Sequence, residues 1–213
     1  MGKPKGSNKK ALRGLSRVKL FPVVQNDFEG YETGEGFFIP EVQSMTRTAD
    51  VSRNTIYADD GIYMELVEFN GLNLEITVAE ISLERMAQLG FGEFDAETGV
   101  LDYDPQGQSL EFGLTFRALK ADGNYRMYKM PIFMVTEVAE SNLQTKGEGG
   151  NISSYIIKGV VTARKFDDRD CFQRDSEDEA DLTWLDTIPQ ANKAAGVAAP
   201  ASFGAPAPEK AKK

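Results

Sequence analysis

Residues 62–79 read Ile62-Tyr63-Met64-Glu65-Leu66-Val67-Glu68-Phe69-Asn70-Gly71-Leu72-Asn73-Leu74-Glu75-Ile76-Thr77-Val78-Ala79. From Leu72 onward, Leu72, Leu74, Ile76 and Val78 alternate with Asn73, Glu75 and Thr77. A period of two is that of a strand with one buried and one polar face. Asn70-Gly71 separates this run from a second apolar-rich run. Asn-Gly favours the two-residue type I′ turn, whose central residues both need positive φ. The stretch therefore predicts strands Ile62–Phe69 and Leu72–Ala79, paired across Asn70-Gly71.

Working outward, Asp59-Asp60-Gly61 is a turn signal, preceded by short strands Thr55–Ala58 and Phe37–Met45. Asn26–Gly36 is acidic and glycine-rich and reads as a loop. Arg17–Gln25 reads as a first strand; Pro22 removes a backbone donor, so it should lie at an edge or carry a bulge. Downstream, Ser82 can cap a helix with Glu84 in its first turn, an apolar stripe of Leu83, Met86, Ala87 and Leu89, and Gly90 as its stop. A hairpin-like stretch Phe91–Tyr103 follows. Two long strands, Ser109–Leu119 and Tyr125–Glu137, are joined by Ala121-Asp122-Gly123-Asn124. Ser141–Asn151 is a glycine-rich loop and Ile152–Arg164 the last clear strand. The fold class predicted is mostly β, with one short flanking helix.

The ends differ from the body. Residues 1–26 carry seven basic groups and no acid, whereas residues 27–208 net −18 within a chain of 213 residues and net charge −9. Residues 1–14 read as a flexible basic arm, with no apolar run that would make them a secretory signal. Residues 15–168 form one β-rich domain. Residues 169–189 combine an acidic stretch with a short apolar patch of Leu182, Trp184, Leu185 and Ile188. From Gln190 to Lys213 the composition falls to Ala, Pro, Gly and Lys, which offers nothing to bury.

Composition also narrows the chemistry. There is no histidine and one cysteine, Cys171. Ser-His-Asp and Cys-His catalysis and His- or Cys-rich metal sites are thereby excluded. No run near 18 apolar residues is present to span a membrane as a helix. Asp167–Asp181 holds eight acids, which suggests calcium, but lacks the spacing and central glycine of an EF-hand; a solvated loop is the plainer reading. Cys171 has no base beside it in sequence and sits among acids, which disfavours the thiolate. Gly147-Glu148-Gly149-Gly150 lacks the lysine and helix of a phosphate loop. Trp184 reads as a packing anchor. The residues point to no enzyme, no cofactor and no metal, and to a protein whose function is its surface.

The order of segments resembles the major tail (tail tube) proteins of long-tailed siphophages. The resemblance is carried by Gly14-Leu15-Ser16-Arg17-Val18-Lys19-Leu20, then Tyr57-Ala58-Asp59-Asp60, then Leu72–Val78 leading into the helix Ser82–Leu89. The long strands about Gly123, Lys146-Gly147-Glu148 and the strand Ser153–Arg164 complete it. It spans roughly three quarters of the chain. It implies a β-sandwich or barrel-like fold, shared with type VI secretion tube proteins. It further implies a virion structural protein, made in the bacterial host cytoplasm, whose hexameric rings stack into a tube that conducts DNA during genome ejection. A long hairpin or loop and the terminal arms would join one ring to the next. Partners would be other copies of the chain, the tape measure, tail terminator and distal tail proteins, and DNA passing without tight binding.

On this reading Glu65, Glu75 and Glu111 are candidates to line the lumen, where carboxylates would repel phosphates. Lys3, Lys5, Lys9, Lys10 and Arg13 are candidates for contacts with acidic surfaces of neighbouring subunits. The acidic body is consistent with a wall that forgoes the counterion-release affinity of a basic one. The alternative is a monomeric β-sandwich binding module, such as a capsid decoration or an adhesion domain for carbohydrate or protein.

Overall fold

The computed structural model describes residues 11–58, 61–104, 109–141, 153–176 and 179–192. The strands are β1 (Leu12–Asn26), β2 (Gly30–Thr33), β3 (Phe37–Phe38), β4 (Val42–Ala58), β5 (Gly61–Val78), β6 (Glu93–Asp95), β7 (Val100–Asp102), β8 (Glu111–Lys120), β9 (Tyr125–Ser141), β10 (Ser154–Thr162), β11 (Phe172–Ser176) and β12 (Ala191–Asn192). One α-helix, α1 (Leu83–Gln88), and a 3-10 helix, Glu179–Asp186, complete the described elements. The fold is mostly β, as the alternation predicts.

Ten strands form one antiparallel sheet in the order β12-β2-β1-β8-β9-β10-β5-β4, with β3 on β1 and β11 on β9. The sheet curls, so that β1 and β4 approach each other, and just before β4 the Ile39 N donates to the Val18 carbonyl of β1 at 3.0 Å, continuing the β3–β1 pairing. The inner face is the core. Leu20, Leu74, Ile76, Val78, Phe112, Leu114, Met130, Phe133, Ile157 and Val161 meet there, almost wholly removed from water. Each such side chain contributes about 1.5–3 kcal/mol by burial. Helix α1 closes one end through Met86 and Leu89; its Ser82 cap accepts from Arg85 N at 3.3 Å. The small β6–β7 hairpin turns through Gly99 at φ 69°.

The Asn70-Gly71 hairpin does not form. β5 runs unbroken through both residues and pairs along its length with β4, the chain reversing between Ala58 and Gly61 instead. Gly71 takes φ +148°, and the β4–β5 register shifts opposite it, between Asp50 and Val51. A Cβ at Gly71 would sit 2.9 Å from the Val161 carbonyl oxygen. The glycine thus serves a bulge and a close backbone approach, the other use of glycine within a strand. The break expected between Phe37–Met45 and Thr55–Ala58 is also absent, since β4 is continuous. Pro22 lies in an interior strand, and β1 carries register shifts on both sides of it.

Three segments read as loop or tail are ordered into the fold. Gly30–Thr33 pairs with β1, so the loop expected over Asn26–Gly36 contains a strand. Leu12 already belongs to β1, within the span 1–14 read as an arm; residues 1–10 lie outside the described residues. The acidic stretch 167–181 contains β11, laid against Tyr125–Lys129 of β9. The one acid of β11, Asp175, is neutralised in place: Arg126 holds it through two hydrogen bonds at 2.6 and 2.9 Å, with the Lys120 ammonium 3.3 Å away.

The C-terminal segment covers the outer face of β1, β8 and β9. Leu185, Ile188 and Ala191 are buried, with Phe21, Tyr31, Ile132 and Ile188 forming a second small core. Thr115, fully buried, donates to the Leu185 carbonyl at 2.9 Å. Gln190 therefore does not begin an unpacked tail, because Ala191 pairs with Tyr31; residues 193–213 lie outside the described residues. The residues of this segment that are buried are Leu185, Ile188 and Ala191; Trp184, read as the anchor, is half-buried with its ring centre 4.3 Å from the Lys129 ammonium.

Candidate interaction surface

β4 and β5 extend past the body as a two-stranded arm. Residues 61–70 are all exposed, as are most of residues 46–57 on the facing strand. The arm is nonetheless rich in large apolar side chains. Tyr57 and Tyr63 are 70% exposed and Ile62 68%, and Val51, Ile56, Met64, Leu66, Val67 and Phe69 are exposed with them. Neighbouring residues in a strand point to opposite faces, so Met64 and Leu66 lie on one face and Tyr63, Val67 and Phe69 on the other. A strand apolar on both faces belongs between two other layers. Here both faces meet water within one chain, and a contiguous apolar surface of this kind marks an interaction site. That two-sided pattern was visible in Ile62–Phe69; the Asn-Gly turn signal masked it by suggesting a hairpin inside the body.

Where the arm begins, the curled sheet leaves a slot. Among the described residues, β4 pairs on one side only, with β5, and residues 12–16 of β1 pair on one side only, with β8. Between these two open edges lies a cavity of about 280 Å³ lined by Leu12, Arg13, Gly14, Leu15, Met45, Arg47, Phe116, Ala118 and Tyr128. Its floor is apolar: the Phe116 and Tyr128 rings stack at 4.6 Å, and the Arg47 guanidinium lies 5.4 Å from the Tyr128 ring centre. Arg13 and Arg47 are exposed at the rim, and neither meets a carboxylate within salt-bridge distance among the described residues.

The residues singled out from sequence are scattered. Glu65 lies on the arm, 3.9 Å from Arg53. Glu75 lies on the body side of Gly71, exposed, opposite Thr46 and Lys158. The Lys158 ammonium itself pairs with Glu137 at 3.0 Å. Glu111 is half-buried three strands from β5 and accepts from Asn26 Nδ2 at 2.8 Å. The three carboxylates do not share a surface. Arg13 lies at the slot, whereas Lys3, Lys5, Lys9 and Lys10 fall outside the described residues.

Cys171 is half-buried, and burial pushes its thiol above the usual range. Among the described residues no group of three or more His, Cys, Asp or Glu side chains is placed to hold a metal ion. No described helix is long and apolar enough to cross a membrane.

No protein-family model and no curated protein matches the chain. Among solved structures, it is similar to a chain of the anti-feeding prophage baseplate, determined by cryo-electron microscopy with six-fold symmetrisation. The identity is 12%, the TM-score 0.34, and the match covers 82% of this chain and 97% of that one.

Proposed function

We propose that this chain is a structural protein of a phage tail, a tail tube subunit that assembles with further copies of itself into stacked hexameric rings around a DNA channel. The observation that carries the reading is the β4–β5 arm, whose apolar side chains are exposed on both faces. A single chain gains nothing from holding Tyr57, Ile62 and Tyr63 in water, whereas a chain surrounded by copies buries them. The edges of β1 and β4 that are unpaired among the described residues support the same reading, since open strand edges are a hazard in a monomer and joints in an assembly.

The acidic body supports passage of DNA without capture. Exposed strand carboxylates, Glu75 first, are the groups proposed to face the channel. Other tail proteins, including the tape measure, terminator and distal tail components, would meet the ends and interior of such a tube. Light scattering and negative-stain microscopy of the purified protein across a concentration series test the reading. Rings or tubes are expected. A compact monomer at every concentration would replace it with the monomeric binding module.

A further inference from the structure

We propose that the slot between β1 and β4 is the receptor for the β4–β5 arm of a second copy of this chain. The inference rests on the self-assembly reading above and names the joint. Three observations identify the occupant.

The first is chemical fit. The slot has an apolar floor of Leu15, Met45, Phe116 and Tyr128 and a rim bearing Arg13 and Arg47. The arm over residues 51–70 is apolar and acidic, with Asp59, Asp60, Glu65 and Glu68 against the single base Arg53. Aromatic and aliphatic side chains would fill the floor while carboxylates meet the two guanidinium groups, the pairing that gives an interface both contact area and selectivity. The basic residues 1–10 of the chain have the wrong sign for the same rim.

The second is geometry within one chain. β4 forms a wall of the slot at Met45 and Arg47 and then continues without a break to Ala58. At roughly 3.4 Å per residue the tip lies about 35 Å beyond that wall. A strand leading out of a slot cannot turn back into it while it stays paired with β5, so the arm cannot fill the slot of its own chain.

The third is the backbone. Among the described residues both walls present unpaired strand edges toward the gap, and an extended segment entering it meets hydrogen-bonding groups on each side. Arm and slot are different surfaces, so the contact is heterologous: each copy gives one arm and receives one. Such contacts close into rings or continue as open stacks.

The test places the photoreactive analogue p-benzoylphenylalanine at Tyr63 and maps the adducts by mass spectrometry after irradiation of the full chain. Adducts joining two chains at Leu12–Leu15 or Met45–Arg47 are expected. Alongside, Arg13→Glu with Arg47→Glu should raise the concentration needed for assembly about tenfold or more, because like charges are then brought together. Adding Glu65→Arg and Glu68→Arg to the same chain should recover most of that loss. These are exposed positions, and circular dichroism checks that each variant folds. Inter-chain adducts mapping elsewhere, or assembly indifferent to the slot charges, would overturn the slot and leave self-assembly standing. A protein that stays monomeric and yields no inter-chain adduct would overturn both.

Discussion

Arg164 and Asp167 close a fork on each other, Nε to Oδ1 and Nη2 to Oδ2, both at 2.6 Å. The remaining guanidinium nitrogen donates to the Pro189 carbonyl at 2.6 Å, and the Tyr31 and Phe172 rings lie 5.3 Å from its carbon. One side chain thus ties the end of the body to the C-terminal segment and to β2. Arg164→Ala leaves the half-buried Asp167 carboxylate with Arg169 alone and the Pro189 carbonyl without this donor, and is expected to cost about 3 kcal/mol. Arg164→Lys keeps the charge but loses the fork, and should fall between. Urea titrations followed by the fluorescence of Trp184 measure both, and a loss below about 1 kcal/mol would show the clamp to be dispensable.

Burial alone would push the Asp167 carboxyl up, but its hydrogen bonds from Arg164, with Arg169 nearby, outweigh this and hold it low. The Arg126 hydrogen bonds, backed by Lys120, hold Asp175 at about 2 against 3.8 in the free side chain. Between those values the unfolded chain binds more protons, so this part of the stability is complete above about pH 4 and is lost as pH falls toward 2. Amide hydrogen exchange in β11 should quicken over that window ahead of the inner strands. Asp175→Asn should exchange quickly at neutral pH and lose the acid dependence. Equal protection of Phe172–Ser176 in both proteins at pH 7 would refute the point.

Lys129 titrates the other way. Burial pushes its ammonium down to about 8, with Asp186 opposing. The unfolded side chain keeps its proton to about 10.5, so stability should rise with pH between 8 and 10.5. Lys129→Met removes the buried charge while keeping its length. It is expected to be neutral or stabilising by about 1 kcal/mol at pH 7 and to flatten the alkaline rise. A loss above about 2 kcal/mol would instead show that the ammonium's contact with the Trp184 ring holds the C-terminal segment down.

Two glycines separate soft from hard crowding. A Cβ on Gly113 would enter the space of the Ile188 side-chain end, which can shift. A Cβ on Gly159 would run into the Met134 carbonyl oxygen, which is main chain in a paired strand. Gly113→Ala should cost about 1–3 kcal/mol and be partly restored by Ile188→Val, whereas Gly159→Ala should cost more and resist rescue by side-chain trimming. Thermal melts of the four proteins decide it.

The sequence carried the inner core more legibly than the arm. Leu74, Ile76 and Val78 alternate because one face is packed and one is wet; β8 shows the same alternation through Phe112, Leu114 and Phe116 because the small Gly113 and Thr115 on its other face lie under the C-terminal segment. The helix was legible because Ser82 and Gly90 mark its two ends. β4 was not, because Thr46–Asn54 has no buried face from which a period arises. β11 was hidden for an electrostatic reason: its one acid, in an acid-rich stretch, looks solvated until Arg126, far away in sequence, is brought beside Asp175. The slot is harder still, since Arg13 and Arg47 meet only after the sheet has curled.

The bulge at Gly71 sets the direction in which the arm leaves the body, and it does so with a backbone angle that side-chain-bearing residues rarely adopt. In any lattice joined through the arm, that single angle is repeated once per subunit. An error of a degree that a lone molecule would never register is then added at each joint along the length of the lattice. Substitution at Gly71 would accordingly change curvature and pitch before it changed affinity, and the straightness of a long assembly would be written in one residue that touches no partner.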